Sequence, residues 1–138
     1  MSDRALRLLA ALVALAGIAV AGYLTWAHYG GDTVVCPIGG GCETVQGSEY
    51  AELAGAPVAV LGLSAYVVML GLLVWDTTGA RLAAAAVALT GLLFSLYLLV
   101  VQLFVIDAIC IWCLANDVVV APVLAVLTAL RLRSSELA

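Results

Sequence analysis

Polar positions along this chain are gathered into short groups separated by long uncharged runs, with no sustained alternation and no helical periodicity of charge. Residues 8–27 carry no charged side chain, and residues 57–75, 82–106 and 108–130 form three further apolar runs. A helix needs about 20 apolar residues, at about 1.5 Å rise each, to cross a hydrocarbon core roughly 30 Å thick. The pattern therefore predicts an all-α integral membrane protein with a single domain of four transmembrane helices, over about residues 8–28, 57–75, 82–106 and 108–130. The fourth run is interrupted at Asn116 and Asp117. Residues 29–56 form the long loop. Its last part, "SEYAELAG", predicts a short surface helix: Ser48 is a suitable N-cap, Glu49 and Glu52 suit the first turn, and Gly55 ends it before Pro57. "DTTGAR", residues 76–81, is a tight turn, and the third and fourth spans meet at Asp107 with almost no loop.

Composition agrees with this pattern. Of 138 residues, 66% are hydrophobic and 10% charged, too few charges for the surface of a water-soluble domain of this length. All five basic residues are arginines: Arg4 and Arg7 precede the first span, Arg81 lies between the second and third, and Arg131 and Arg133 follow the fourth. These places share one side of an even-numbered bundle, and the positive-inside rule makes that side cytoplasmic, with both termini, and the 29–56 loop extracytoplasmic. Five arginines spread over a membrane face offer no nucleic-acid surface. Arg4, Arg7 and the "AVA" at residues 19–21 also resemble a cleaved signal peptide. A retained first helix is the expectation, because the apolar run continues and closes on Tyr23 and Trp26, as at a membrane interface. His28 and Tyr29 read as further interface residues.

The chemistry lies in four cysteines. Cys36 and Cys42 form a C-x5-C in the outer loop beside three consecutive glycines, and Cys110 and Cys113 form the C-x-x-C of "CIWC" at the outer start of the fourth span. The arginines thus bring all four to one face, the oxidising one in a bacterial-type envelope. A C-x-x-C at a helix start favours a reactive dithiol, since the helix N-terminus stabilises a thiolate and the spacing permits a reversible disulfide. At the edge of a bilayer the diffusible oxidant is a quinone. Cys110, Cys113 and Asp117 follow i, i+3, i+7 spacing and share a helix face. Asp117 lies about 10 Å in. A carboxylate at such depth costs on the order of 2.5–3.5 kcal/mol, so it is expected to face a cavity and to exchange protons with a bound quinone, or else to serve packing through Asn116. For the cysteines, two structural disulfides and a four-thiolate zinc site stand beside a redox relay, the reading these placements favour.

Taken together, the C-x5-C, Ser48 six residues after Cys42, the "YA" that follows, the Gly-x-Pro that opens the second span, the "GLSAY" of residues 62–66 and the C-x-x-C of the last span resemble the vitamin K epoxide reductase (VKOR) family in its bacterial form. The resemblance covers nearly the whole chain. It implies a four-helix bundle around a quinone of ubiquinone or menaquinone (vitamin K) type, with Cys36 and Cys42 as a shuttle pair. Cys110 would exchange with the loop, Cys113 would face the quinone, and Ser48, Tyr66 and Asp117 would lie at the quinone site; no resident metal is implied. Asp117 stands where animal members carry a quinone-contacting tyrosine. Many bacterial members also continue into a thioredoxin-like domain, so here a separate extracytoplasmic thioredoxin-like or DsbA-like partner is expected. DsbB-type oxidases carry their C-x-x-C before the wider pair, the reverse of the order in this chain. The implied function is a cell-membrane oxidoreductase that supports disulfide formation in exported proteins. Reduction of vitamin K epoxide or quinone as the main activity, and a non-catalytic metal-binding or structural membrane subunit, are the alternatives.

Overall fold

The computed structural model describes residues 2–30, 52–53, 56–107 and 110–137. Its helices are α1 (Asp3–Gly30), α2 (Val58–Trp75), α3 (Thr78–Val100) and α4, which runs as Ile111–Ala115, Asn116–Val120 and Ala121–Leu137. Two segments have the wider π-helical turn: Val101–Ile106, which extends α3, and Asn116–Val120 within α4. Four helices are long and apolar enough to cross a membrane, and at most 33% of the apolar core of each is buried within the bundle. The outward faces carry Leu12, Val67, Leu93, Phe104 and Val126, all exposed, a surface that only lipid would cover. The chain is therefore an all-α four-helix membrane bundle.

The short helix expected at Ser48 starts outside the described residues. Where this stretch is described it is extended: β1 (Glu52–Leu53) pairs antiparallel with β2 (Ala56–Pro57), Leu53 opposite Ala56. Pro57 holds the partner strand extended, because a proline ring disfavours helical backbone at Ala56 before it, and pairing with that strand takes Glu52–Leu53 out of the helix.

Small residues set the packing. The buried face of α1 is Leu6, Ala10, Ala14, Gly17, Ala21, Leu24 and Ala27, and that of α3 is Ala80, Ala84, Ala88 and Ser95. Such stripes let helix backbones approach closely where lipid removes the hydrophobic drive for association. α1 lies against α2 and α4, and α3 against α4 and α2, so α1 and α3 stand diagonally opposed.

One end of the bundle is closed by charge. Asp76 ends α2 in the left-handed region (φ 49°), where its N–H donates to the Leu72 carbonyl at 3.2 Å. Its carboxylate accepts from Arg131 Nη2 and, at 3.1 Å, from Arg81 Nε. Arg81 also donates to Asp3 Oδ2 at 3.0 Å and to the Arg131 carbonyl at 3.3 Å, while Arg7 donates to the carbonyls of Leu73 and Val74 at 2.7 and 3.0 Å. Every helix contributes to this cluster. Arg131 is its buried member, 1% exposed, with Nε 3.5 Å from Asp3 Oδ1 and no hydrogen bond between them. Burial pushes the Asp76 carboxyl up, but the hydrogen bonds and charges of Arg81 and Arg131 outweigh it and hold the group below the ordinary carboxylate value.

Removing one partner of a buried ion pair strands the other. Asp76→Ala should therefore cost about 3 kcal/mol, the low end for such a loss because Asp76 is partly exposed, and Arg131→Met should cost less, since Asp76 keeps Arg81. A carboxyl depressed on folding contributes stability that is present above its unfolded value of 3.8 and is lost as pH falls through the lower folded value. Thermal unfolding in detergent should accordingly show an acid limb that is shallower in Asp76→Asn than in the parent.

Candidate active site

A cavity of about 520 Å³ lies between the helices toward the other end of the bundle. Its wall is mainly apolar, with Leu24, Met69, Phe94, Leu98 and Leu124 among the lining residues, and it reaches the lipid-facing surface between α2 and α3, where Leu61, Ala86 and Thr90 are exposed. Volume and lining are those of a site for a mainly apolar small molecule held by a few polar groups. The polar groups stand together: Tyr66, Ser95, Gln102, Asn116 and Asp117 all line the cavity, and Cys113 stands with them.

At the centre of this polar edge is Asp117, 2% exposed. Its Oδ2 accepts from Gln102 Nε2 at 3.2 Å and its Oδ1 from Asn116 Nδ2 at 3.2 Å, and Ser95 adds a side-chain hydrogen bond. Asn116 Oδ1 in turn accepts the Tyr66 hydroxyl. The Gln102 amide oxygen accepts the Cys110 backbone N–H at 3.1 Å. Donors from α2, α3 and the start of α4 thus converge, directly or through one amide, on one carboxyl. In a low-dielectric interior such bonds replace the hydration a carboxylate loses, and without them its burial would cost several kcal/mol.

Both π-helical segments serve this network, Val101–Ile106 by carrying Gln102 and Asn116–Val120 by carrying Asn116 and Asp117. A π turn holds an extra residue, which re-aims neighbouring side chains, and such turns concentrate at functional sites. Here the turn in α4 lets the adjacent Asn116 and Asp117 both line the cavity.

Cys110 is the N-cap residue of α4, with extended backbone, and its carbonyl accepts the Leu114 N–H at 2.8 Å. It is fully buried beside Leu24 and Ala27, behind the cavity wall, and Cys113, one turn later, packs against the same cluster and is half-buried on the wall itself. Trp112 lies edge-on to Tyr23 at 5.3 Å between ring centres, and Tyr23 stacks on the exposed Trp26. Of the residues expected at the site, the structure brings together Cys110, Cys113, Tyr66 and Asp117. Cys36, Cys42 and Ser48 lie outside the described residues. Sequence reasoning missed Gln102, although its signal was present: it is the one amide in the 82–106 run, and an amide in hydrocarbon needs a partner.

A family model described as the Vitamin K epoxide reductase family matches residues 8–128 of the chain. No curated protein matches it.

Tyr66 is held from behind by Gly17. A Cβ at position 17 would stand 2.8 Å from three atoms of the Tyr66 ring, so Gly17→Ala forces the ring toward the cavity and strains its bond to Asn116. The expected loss is about 1–3 kcal/mol, the usual cost of overpacking, read as a lower midpoint of thermal unfolding in detergent. Gly71→Ala, whose Cβ meets nothing within 4 Å, should leave the midpoint unchanged or slightly raised.

Proposed function

Because the chain belongs to the vitamin K epoxide reductase family, a family of membrane oxidoreductases with thiol–disulfide and quinone chemistry, we propose that it oxidises an extracytoplasmic thioredoxin-like or DsbA-like protein and passes the electrons to a quinone. The observation that carries this reading is Cys113 on the wall of an apolar, lipid-accessible cavity whose polar edge is built around Asp117. The arginine-rich end of the bundle lies in the cytoplasm by the positive-inside rule, and the cysteine end faces outward.

In this scheme a partner thiolate attacks one sulfur of a Cys36–Cys42 disulfide, and the partner's second thiol resolves the mixed disulfide. The partner leaves oxidised and the loop holds two thiols. One loop thiolate then attacks Cys110 of a Cys110–Cys113 disulfide, which releases Cys113 as a thiolate, and the second loop thiol resolves the Cys110 adduct. Each exchange moves two electrons and forms one disulfide for each one broken. Cys113 is left on the cavity wall beside the Asp117 network. Cys110 and Cys113 then re-form their disulfide, giving up two electrons and two protons, which a quinone bound there would accept to become quinol. The apolar wall suits its ring and tail, Tyr66 closes the α1–α2 side, and Asp117, with its donors, is the group placed to hold or move a proton. The net result is disulfide formation in exported proteins.

The test is quinone reduction driven by a reduced thioredoxin-like protein in proteoliposomes. Cys113→Ala should produce no quinol and should accumulate a mixed disulfide between a loop cysteine and Cys110, identified by mass spectrometry after alkylation. Full activity in this variant overturns the relay, and stoichiometric zinc held by the four thiolates would replace it with a metal site. Quinone reduction that proceeds with a small dithiol but with no thioredoxin-like protein would shift the main activity to the quinone itself.

A further inference from the structure

Gln102 is 2% exposed in a segment whose next three residues, Leu103, Phe104 and Val105, face outward. Gln102 reaches the polar edge of the cavity, yet both ends of its amide and its main-chain carbonyl are already taken by the protein. Its main-chain carbonyl accepts the N–H of Asp107, which closes the π-helical segment in the left-handed region at φ 54°. Its side-chain oxygen accepts the Cys110 N–H at 3.1 Å, and its NH₂ donates to Asp117 Oδ2 at 3.2 Å. A backbone N–H only donates, so the amide oxygen has to face Cys110 and the NH₂ has to face the carboxyl. One residue therefore holds both ends of the connection between α3 and α4 and links that connection to the floor of the cavity.

We infer that Gln102 is a positioning residue for the C-x-x-C: its amide fixes the Cys110 turn against the end of α3 and sets where Cys113, one helical turn on, stands relative to Asp117. For catalysis this rests on the relay proposed above. Its geometric content does not. Loss of the amide leaves the Cys110 N–H and Asp117 Oδ2 each short of a partner inside the bundle, and the start of α4 is then free to shift.

Two variants test it. Gln102→Leu keeps the bulk and removes both hydrogen bonds. Gln102→Glu keeps an acceptor for the Cys110 N–H and sets a second carboxyl against Asp117; a single proton shared between the two restores the donor. The titratable groups facing position 102 are Cys110 and Asp117 from α4, with Cys113 on the same wall and Tyr66 from α2 acting through Asn116.

In the reduced protein, with no turnover, alkylation of Cys110 should be roughly tenfold faster in Gln102→Leu than in the parent, as expected for a lost buried hydrogen bond. In quinone reduction the same variant should lose on the order of 10- to 100-fold in kcat, the scale of a reacting group displaced by about an ångström. KM for the quinone should stay within about twofold, which separates misplacement from lost binding. Alkylation of any thiol slows as pH falls, so each rate is taken as a ratio to the parent at the same pH. For Gln102→Glu the ratios for Cys110 alkylation and for activity should both approach one as pH falls from 8 to 5, while those for Gln102→Leu stay offset. Parent-like alkylation in Gln102→Leu, or a parent-like pH profile of alkylation in Gln102→Glu, overturns the inference. If the parent itself reduces no quinone, the relay fails, and the alkylation comparison still decides the role of Gln102.

Discussion

The organising constraint of this bundle is that a polar group taken out of water has to find its partners inside the protein. In a helix the backbone meets that demand by itself, which is why the apolar runs are built as four helices. Side chains have no such guarantee. The two most demanding ones, the Arg131 guanidinium and the Asp117 carboxyl, are each about 98–99% buried, and each has a polar cluster assembled around it. Elsewhere among the described residues the interior is mainly Ala and Leu, with Met69 and Val120, so these clusters relate the helices to one another by direction as well as by shape.

The clusters differ in kind. Around Arg131 the opposite charges are Asp3 at the start of α1 and Asp76 at the end of α2, which also pair with a second cation, Arg81 at the start of α3, at a face partly open to solvent, and the result is a clasp. Around Asp117 the donors are neutral amides and hydroxyls, so the carboxyl is held without being neutralised by a cation. A clasp fixes helix ends and tolerates small displacements. The carboxyl's partners instead tie α2, α3 and the start of α4 to one point on the wall of an apolar cavity.

Much of this was legible in the sequence. The apolar runs marked the helices, and the arginines marked the ends that meet in the clasp; Arg7, Arg81 and Arg131 do stand together, although the contribution of Asp76 as a left-handed helix end could not be read from "WDTT" alone. The spacing of Cys110, Cys113 and Asp117 pointed to one helix face. It assumed regular α-helical turns. The π turn changed the outcome by adding Asn116 to the cavity wall, and Cys110, buried beside Leu24 and Ala27, joins the site through Cys113, which packs on the same cluster, and through Gln102. Helical periodicity carries no mark of an extra residue per turn, and the register between α3 and α4 that brings Gln102 to Cys110 is a tertiary fact. Local signals also misjudged residues 52–53, where capping preferences favour a helix and pairing with Ala56–Pro57 prevails.

The cavity opens sideways, between α2 and α3, at Leu61, Ala86 and Thr90. A molecule entering there arrives by lateral diffusion in the plane of the bilayer and never crosses an aqueous phase. Its effective concentration is then a mole fraction among lipids, set by how many copies the membrane holds and in which oxidation state. Under the proposed relay, turnover through such a door would follow the composition of the membrane rather than that of the surrounding water, and the protein would be a reader of the membrane's redox pool.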